Sequence, residues 1–324
     1  MSPATPSNPA DPGAAAQLDA VWGDPATWTE HGLHWTHLPA VKARIAEMVS
    51  GDAGIHPLEW FFRQVAAERP LPLRRILVLA CGAGYVEREA VSRGWAASAV
   101  AIDLSSQVLA RARAQAQAEG LAIEYHHADM NRLPLGQAPF LPGTFDAVLG
   151  VAGVHHGSDL ERLYEDVAAL LVPGGWFFLD EYVGPDRFQW PQAQERHLNT
   201  LLDLLPPRLR MTTDGRLKGN ARRPSVQEVI AVDASEAVRS SELLPLLPGH
   251  FEVQAVRPYG GSMLHLVLGS IAQNFAPAAE APYLNALMEA EDELIRAGQI
   301  GHDFACVIAR PRPAAASAAP PPDR

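Results

Sequence analysis

Two cysteines in 324 residues, Cys81 and Cys306, are too few for a disulfide framework. Basic residues are in deficit: Lys and Arg number 26 against 37 Asp and Glu, for a formal net charge of −11. With no basic run, the chain is a poor match for nucleic acid or an anionic membrane surface, and neither is expected as a partner. No apolar stretch reaches the length of a membrane span. Residues 1–16 hold neither a basic start nor an apolar run, so no secretory signal is read there and a cytoplasmic location is expected. No internal repeat is present. What is plentiful is apolar side chain, 48% of the sequence, enough for a substantial core.

The chain is organised around residues 76–87, ILVLACGAGYVE. Five apolar residues, 76–80, fit a strand buried on both faces of a parallel sheet. Cys81-Gly82-Ala83-Gly84 then forms a turn, and 85–92 has helical character. Strand, glycine turn and helix make a nucleotide-binding unit, because glycines admit close backbone approach and a helix start offers free N–H groups. Cys81 is read as a small residue that packs well in this turn. A second apolar run ends at Asp103, about twenty residues past the glycines, the spacing at which a carboxylate accepts ribose hydroxyls. Asp129-Met130 follows a third strand, FDAVLGV at 145–151 is a fourth, and LVPGG leads a fifth over 171–179.

In this order and spacing the pieces resemble the class I S-adenosylmethionine (SAM) dependent methyltransferases, across roughly 73–183. The resemblance implies an α/β, Rossmann-like sheet, mostly parallel with its last strand antiparallel, and SAM as cofactor. It implies that the turn from Ala80 through Cys81 and Gly82 to Gly84 lines the methionine part of SAM. It also implies that Asp103 takes the ribose, Leu104 packs on the adenine, and Asp129 accepts from the adenine amino group beside Met130. Val151, ending the fourth strand, joins this set. Two departures stand out: Val78 replaces an acid the family often carries, and Ala80 replaces the first glycine of its turn. Glu87, or a residue of the N-terminal segment, is the candidate to take over from that acid.

Residues 1–16 and 312–324 are rich in Pro and Ala and are expected to be disordered tails. Residues 17–70 carry Trp22, Trp28, Trp35 and Trp60, with helical spacing over 39–49 and 57–67. They are read as a helical cap over the cleft, or as helices stapled to the sheet by those aromatics. His31, His34 and His37 recur every third residue and are read as polar contacts in the cleft roof. Residues 71–311 are the SAM-binding domain, with a helical insertion at about 186–250 that covers the substrate site. Further helices are predicted over 105–119, 159–171, 225–231, 264–274 and 283–297, and strands over 251–259 and 304–310.

Methyl transfer needs alignment of nucleophile, methyl and sulfur, and oxygen acceptors usually need a proton removed. Ligands of open α/β sheets sit at the carboxyl ends of the strands. His155 and His156 leave the fourth strand there, and Glu181 and Tyr182 the fifth, so these four are the catalytic candidates. Trp35, His37 and Arg239 are candidates for holding the acceptor, with Arg239 equally suited to an inter-helix salt bridge. The fourth strand ends in histidines rather than clustered acids, so a metal-free mechanism is expected. DEYVGPDRFQW at 180–190 and VRSSE at 238–242 resemble a bacterial subgroup linked to glycans and secondary metabolites. The acceptor is therefore read as a hydroxyl or amine on a small secondary metabolite or sugar-containing compound. The competing readings are a nicotinamide-dependent oxidoreductase, where Glu87 stands in place of the third glycine, and an inactive SAM-binding partner protein.

Overall fold

A computed structural model describes residues 32–312. The expected tails at 1–16 and 313–324, and residues 17–31 of the expected cap with Trp22, Trp28 and His31, lie outside the described residues. Seven strands form one sheet: β1 (Ile76–Leu79), β2 (Ala99–Asp103), β3 (Ile123–His127), β4 (Phe145–Val151), β5 (Leu171–Tyr182), β6 (Phe251–Pro258) and β7 (Phe304–Pro311). Their spatial order is β3-β2-β1-β4-β5-β7-β6. Strands β1 to β5 pair in parallel, whereas β7 runs antiparallel to both β5 and β6. The last strand is thus antiparallel, as the resemblance requires and as an oxidoreductase sheet does not.

The apolar run of β1 is explained by burial on both faces. Ile76 and Val78 point into one core and Leu77 and Leu79 into the other, none more than 1% exposed. Ten α-helices flank the sheet among the described residues: α1 (Pro39–Ser50), α2 (Pro57–Glu68), α3 (Tyr85–Ser92), α4 (Ser106–Ala118), α5 (Leu160–Leu170), α6 (Gln192–Leu204), α7 (Val226–Val232), α8 (Leu243–His250), α9 (Leu264–Leu268) and α10 (Ala281–Arg296). Their starts follow local capping chemistry. The Ser105 hydroxyl accepts from Val108 N–H to begin α4, Asp159 begins α5, and Ser225 with Glu228 forms a capping box on α7.

The core on one face holds α1, α2, α3, α4, α6, α9 and α10, and the core on the other holds α5 and α8. Helix α2 is stapled to the sheet: Phe61 stacks on Phe178 at 4.8 Å and Phe62 on Trp95 at 4.9 Å. Trp35 is buried and meets Phe304, at the start of β7, at 5.3 Å. The helix predicted over 264–274 breaks after Leu268, where Gly269 and Ser270 (φ 64) turn the chain. The ammonium of Lys218 donates to the carbonyls of Leu266, Val267 and Gly269 at 2.8, 3.0 and 2.6 Å, satisfying the groups that the break leaves open. Glu291 on α10, fully buried, does the same at the start of α9, accepting from Met263 and Leu264 N–H while Arg44 of α1 pairs its other oxygen. The larger core therefore joins the N-terminal helices to the segments after β5 and β6.

Candidate functional site

Because β1 to β5 are parallel, the loops that follow them open on one edge of the sheet. At that edge the turn after β1 is tightly specified. Ala80, Gly82 and Gly84 all have left-handed backbone, with φ of 46, 52 and 77°. Ala80 is a non-glycine residue in this region, which costs about 1–2 kcal/mol, and it occupies the position of the family's first glycine. Gly153, after β4, sits against it: a Cβ on Gly153 would lie 2.6 Å from the Ala80 Cβ. The loops after β1 and β4 are thus in backbone contact.

Asp103 ends β2 beneath the glycine turn. Its Oδ2 accepts from Gly82 N–H at 2.9 Å and its Oδ1 from Ser105 N–H at 2.8 Å. Burial pushes its pKa up, and the N–H groups of Ser105, Gly82 and Leu104 oppose that shift. Each oxygen accepts one bond here, and a carboxylate has about four acceptor positions, so capacity remains for a diol. A Cβ on Gly82 would meet nothing within 4 Å. The turn therefore has an open side above the aspartate, and these residues fit a nucleoside carrying two ribose hydroxyls.

Cys81 is buried with its thiol pushed well up by burial and by Glu87 and Asp103, which leaves it packed and inert. Glu87 lies behind the turn, not on it. It is 0% exposed, and a Cβ on Gly84 would lie 2.6 Å from its Oε1 and 2.8 Å from the Tyr125 hydroxyl. Burial pushes Glu87 up to about 7, against the pull of its own backbone N–H, the Tyr125 hydroxyl and Arg88. After β3, Asp129 accepts from Asn131 N–H and Nδ2–H, both at 2.9 Å, and starts a short turn of helix with Met130 buried beneath it. The Asn131 Oδ1 in turn accepts from Ser158 N–H at 2.7 Å, tying this loop to the one after β4. Leu104 and Val151 are half-buried at the same edge.

The ends of β4 and β5 form a second cluster. Glu181, 1% exposed, accepts from Gly153 N–H at 2.8 Å and Val154 N–H at 2.6 Å through Oε1, and from His155 Nδ1–H at 2.8 Å through Oε2. His155 Nε2 faces Glu236 Oε1 at 3.5 Å. The rings of His155 and His156 lie 4.3 Å apart. His156 Nδ1 is 3.0 Å from the Ser235 hydroxyl, which itself donates to Asp233 at 2.6 Å. Burial works against a charge on His155, but hydrogen bonds to Glu181 and Glu236 outweigh it and push the ring up to about 10. Burial and the neighbouring His155 lower His156.

The other candidates are placed as follows. The Tyr182 hydroxyl donates to the Pro185 carbonyl at 3.1 Å, and its ring joins Phe188, His265 and Phe304 in an aromatic wall, at 5.2, 6.2 and 5.4 Å. Trp35 lies behind Phe304 in this wall, and His37 is exposed beside His34, with ring centroids 5.8 Å apart. Arg239 commits its fork to Glu161, at 2.7 and 2.8 Å, and to Glu242, at 2.9 and 2.7 Å, so it braces the insertion against α5. The geometry adds three residues that sequence reading missed: Asp233, Ser235 and Glu236. They come from the insertion, just ahead of VRSSE, and in sequence look like any acidic surface turn.

Comparison with known proteins gives the cluster its context. Residues 76–175 match a family described as a methyltransferase domain. The demethylmenaquinone methyltransferase of Thermus thermophilus is 29% identical over 185 residues, covering 56% of this chain and 78% of that one. The ubiquinone biosynthesis O-methyltransferase of Xanthomonas campestris is 34% identical over 155 residues, covering 47% of this chain and 62% of that one, so less than two thirds of its length is spanned. In fold, the chain is similar to the geranyl diphosphate C-methyltransferase of Streptomyces coelicolor, with a TM-score of 0.51, 12% identity, and 94% and 100% of the two chains covered. By strand order the sheet has the Rossmann-like, class I methyltransferase fold, and residues 76–175 are similar to the domain of SAM-dependent methyltransferases.

Proposed function

We propose that the chain transfers a methyl group from SAM to a hydroxyl or amine of a small molecule, a secondary metabolite or sugar-containing compound. The observation that carries this reading is the alignment along one sheet edge. The glycine turn and Asp103 stand at one end, and the buried His155, His156 and Glu181 cluster stands on the neighbouring strands. When bound, SAM supplies an activated methyl on a good leaving group. The chain's own residues then have three tasks. Asp103 and Asp129 fix the nucleoside in register with the β1 turn. The tight contact of Gly153 with Ala80 sets how far the two loops stand apart. The His156 imidazole, its pKa lowered by burial and by His155 and its ring held by Ser235, gives the acceptor's proton a place to go beside the reacting atoms.

The aromatic wall of Tyr182, Phe188, His265 and Phe304 supports an acceptor with an apolar or ring-bearing body next to its nucleophilic group. The test uses methyl-labelled SAM with a panel of small hydroxyl and amine acceptors. Replacing both His155 and His156 by Ala is expected to lower turnover at least tenfold while S-adenosylhomocysteine (SAH) affinity is kept. Unchanged turnover removes the histidines from the reaction, and no labelled product with any acceptor refutes the reading.

A further inference from the structure

The geometry points to a binding site for one first-row divalent transition-metal ion, held by His155 Nε2, His156 Nε2 and the carboxylate of Glu236. Sequence reading expected no metal because β4 ends in histidines without acids beside them. The structure brings the missing carboxylate from the insertion.

Three observations carry this. First, one ligand atom from each of the three residues lies within 4.8 Å of the others, and all three side chains are largely buried. The Glu236 oxygens stand 3.5 Å from His155 Nε2 and 4.0 Å from His156 Nε2. Ligands about 2.1 Å from a shared ion stand roughly 3–3.4 Å from one another, so the three side chains would draw together by about an ångström to hold one. Second, the far side of each ring is already committed. His155 Nδ1–H donates to Glu181 at 2.8 Å. The Ser235 hydroxyl, spending its proton on Asp233, accepts from His156 Nδ1–H at 3.0 Å. Carboxylates that orient the outer nitrogen of a histidine, directly or through a hydroxyl, are the usual support of a metal-binding imidazole. Third, His155 Nε2, His156 Nε2 and the Glu236 carboxylate converge on one small, largely buried space, where a cation would take the place of the proton that His155 shares with Glu236.

Two imidazoles and one carboxylate select zinc, iron or manganese over magnesium or calcium, which take oxygen sets. Three protein ligands leave at least one coordination position open. The ring of Tyr182, part of the wall proposed to meet the acceptor, has its centroid 6.3 Å from that of His155. The ligand set is defined by this chain's own side chains and holds whether or not the acceptor reading does.

The test is calorimetric titration of the chelator-stripped full chain with Zn2+. One saturable site per chain is expected. Glu181→Gln is expected to weaken it about 10–100-fold, His156→Ala and Glu236→Gln at least as much, and Glu293→Gln on the surface of α10 not at all. No saturable binding, or undiminished binding when His155, His156 and Glu236 are all replaced, overturns the site. If the variants do not fold, X-ray absorption of the Zn2+-loaded wild-type chain decides: two imidazole ligands support the site and fewer overturn it. SAH titration of the same stripped protein is read separately, so loss of the metal site and loss of the methyltransferase reading are told apart.

Discussion

Glu87→Gln tests the architecture behind the cofactor turn. The carboxyl is fully buried on the first turn of α3, and neither oxygen makes a well-formed hydrogen bond. Its pKa is raised from 4.5 to about 7, chiefly by burial. A group raised in the folded state is fully compatible with folding below its unfolded pKa. As pH climbs from 4.5 to 7, the unfolded chain gives up the proton while the folded chain keeps it, so stability falls across that window. The total is about 3 kcal/mol at about 1.4 kcal/mol per pKa unit. Glutamine has nearly the shape and polarity of the protonated acid but no proton to lose. The unsatisfied buried dipole is therefore common to both proteins, and only the ionisation differs. Urea unfolding followed by tryptophan fluorescence is expected to show the variant ahead by under about 1 kcal/mol near pH 5, and by about 3 kcal/mol near pH 8. A gap that does not change with pH refutes the buried, raised carboxyl.

Three further outcomes follow from the site. Asp103→Ala removes the acceptor of Gly82 and Ser105 N–H as well as the proposed ribose contact, and SAH titration is expected to show at least tenfold weaker binding with circular dichroism unchanged. Ala80→Gly relieves the left-handed strain and is expected to raise stability by about 1 kcal/mol, whereas Gly153→Ala, whose Cβ would lie 2.6 Å from the Ala80 Cβ, lowers it; equal thermal midpoints would contradict the interlock. Glu181→Ala strands two backbone N–H groups and the His155 ring, for an expected loss of about 3–5 kcal/mol in urea unfolding, with Glu181→Gln losing less.

The sheet and its cofactor edge were legible in sequence for a clear reason. A strand buried on both faces has to be apolar throughout, a tight turn has to carry glycine, and helices announce their starts, as Ser105 and Asp159 do. Helix α3, read as 85–92, has those bounds in the structure. What was hidden depended on partners far away in the chain. Glu236 gains meaning only when the insertion folds over β4, and Arg239 could not be told from a free cation until Glu161 and Glu242 were seen on either side of it. The end of α9 was missed because the lysine that takes its carbonyls lies about fifty residues upstream, beyond any local pattern. Val78 shows the opposite limit: the position was noticed, but the structure shows only that it is packed into the core, 1% exposed.

Strand β7 lies between β5 and β6, although it is synthesised after both. On the ribosome, β5 and β6 must wait as separate elements with no hydrogen bond between them, each presenting an unfilled margin to the surrounding solution. The sheet closes only when the final strand threads the gap. Until then those two margins are open to pairing with a neighbouring chain.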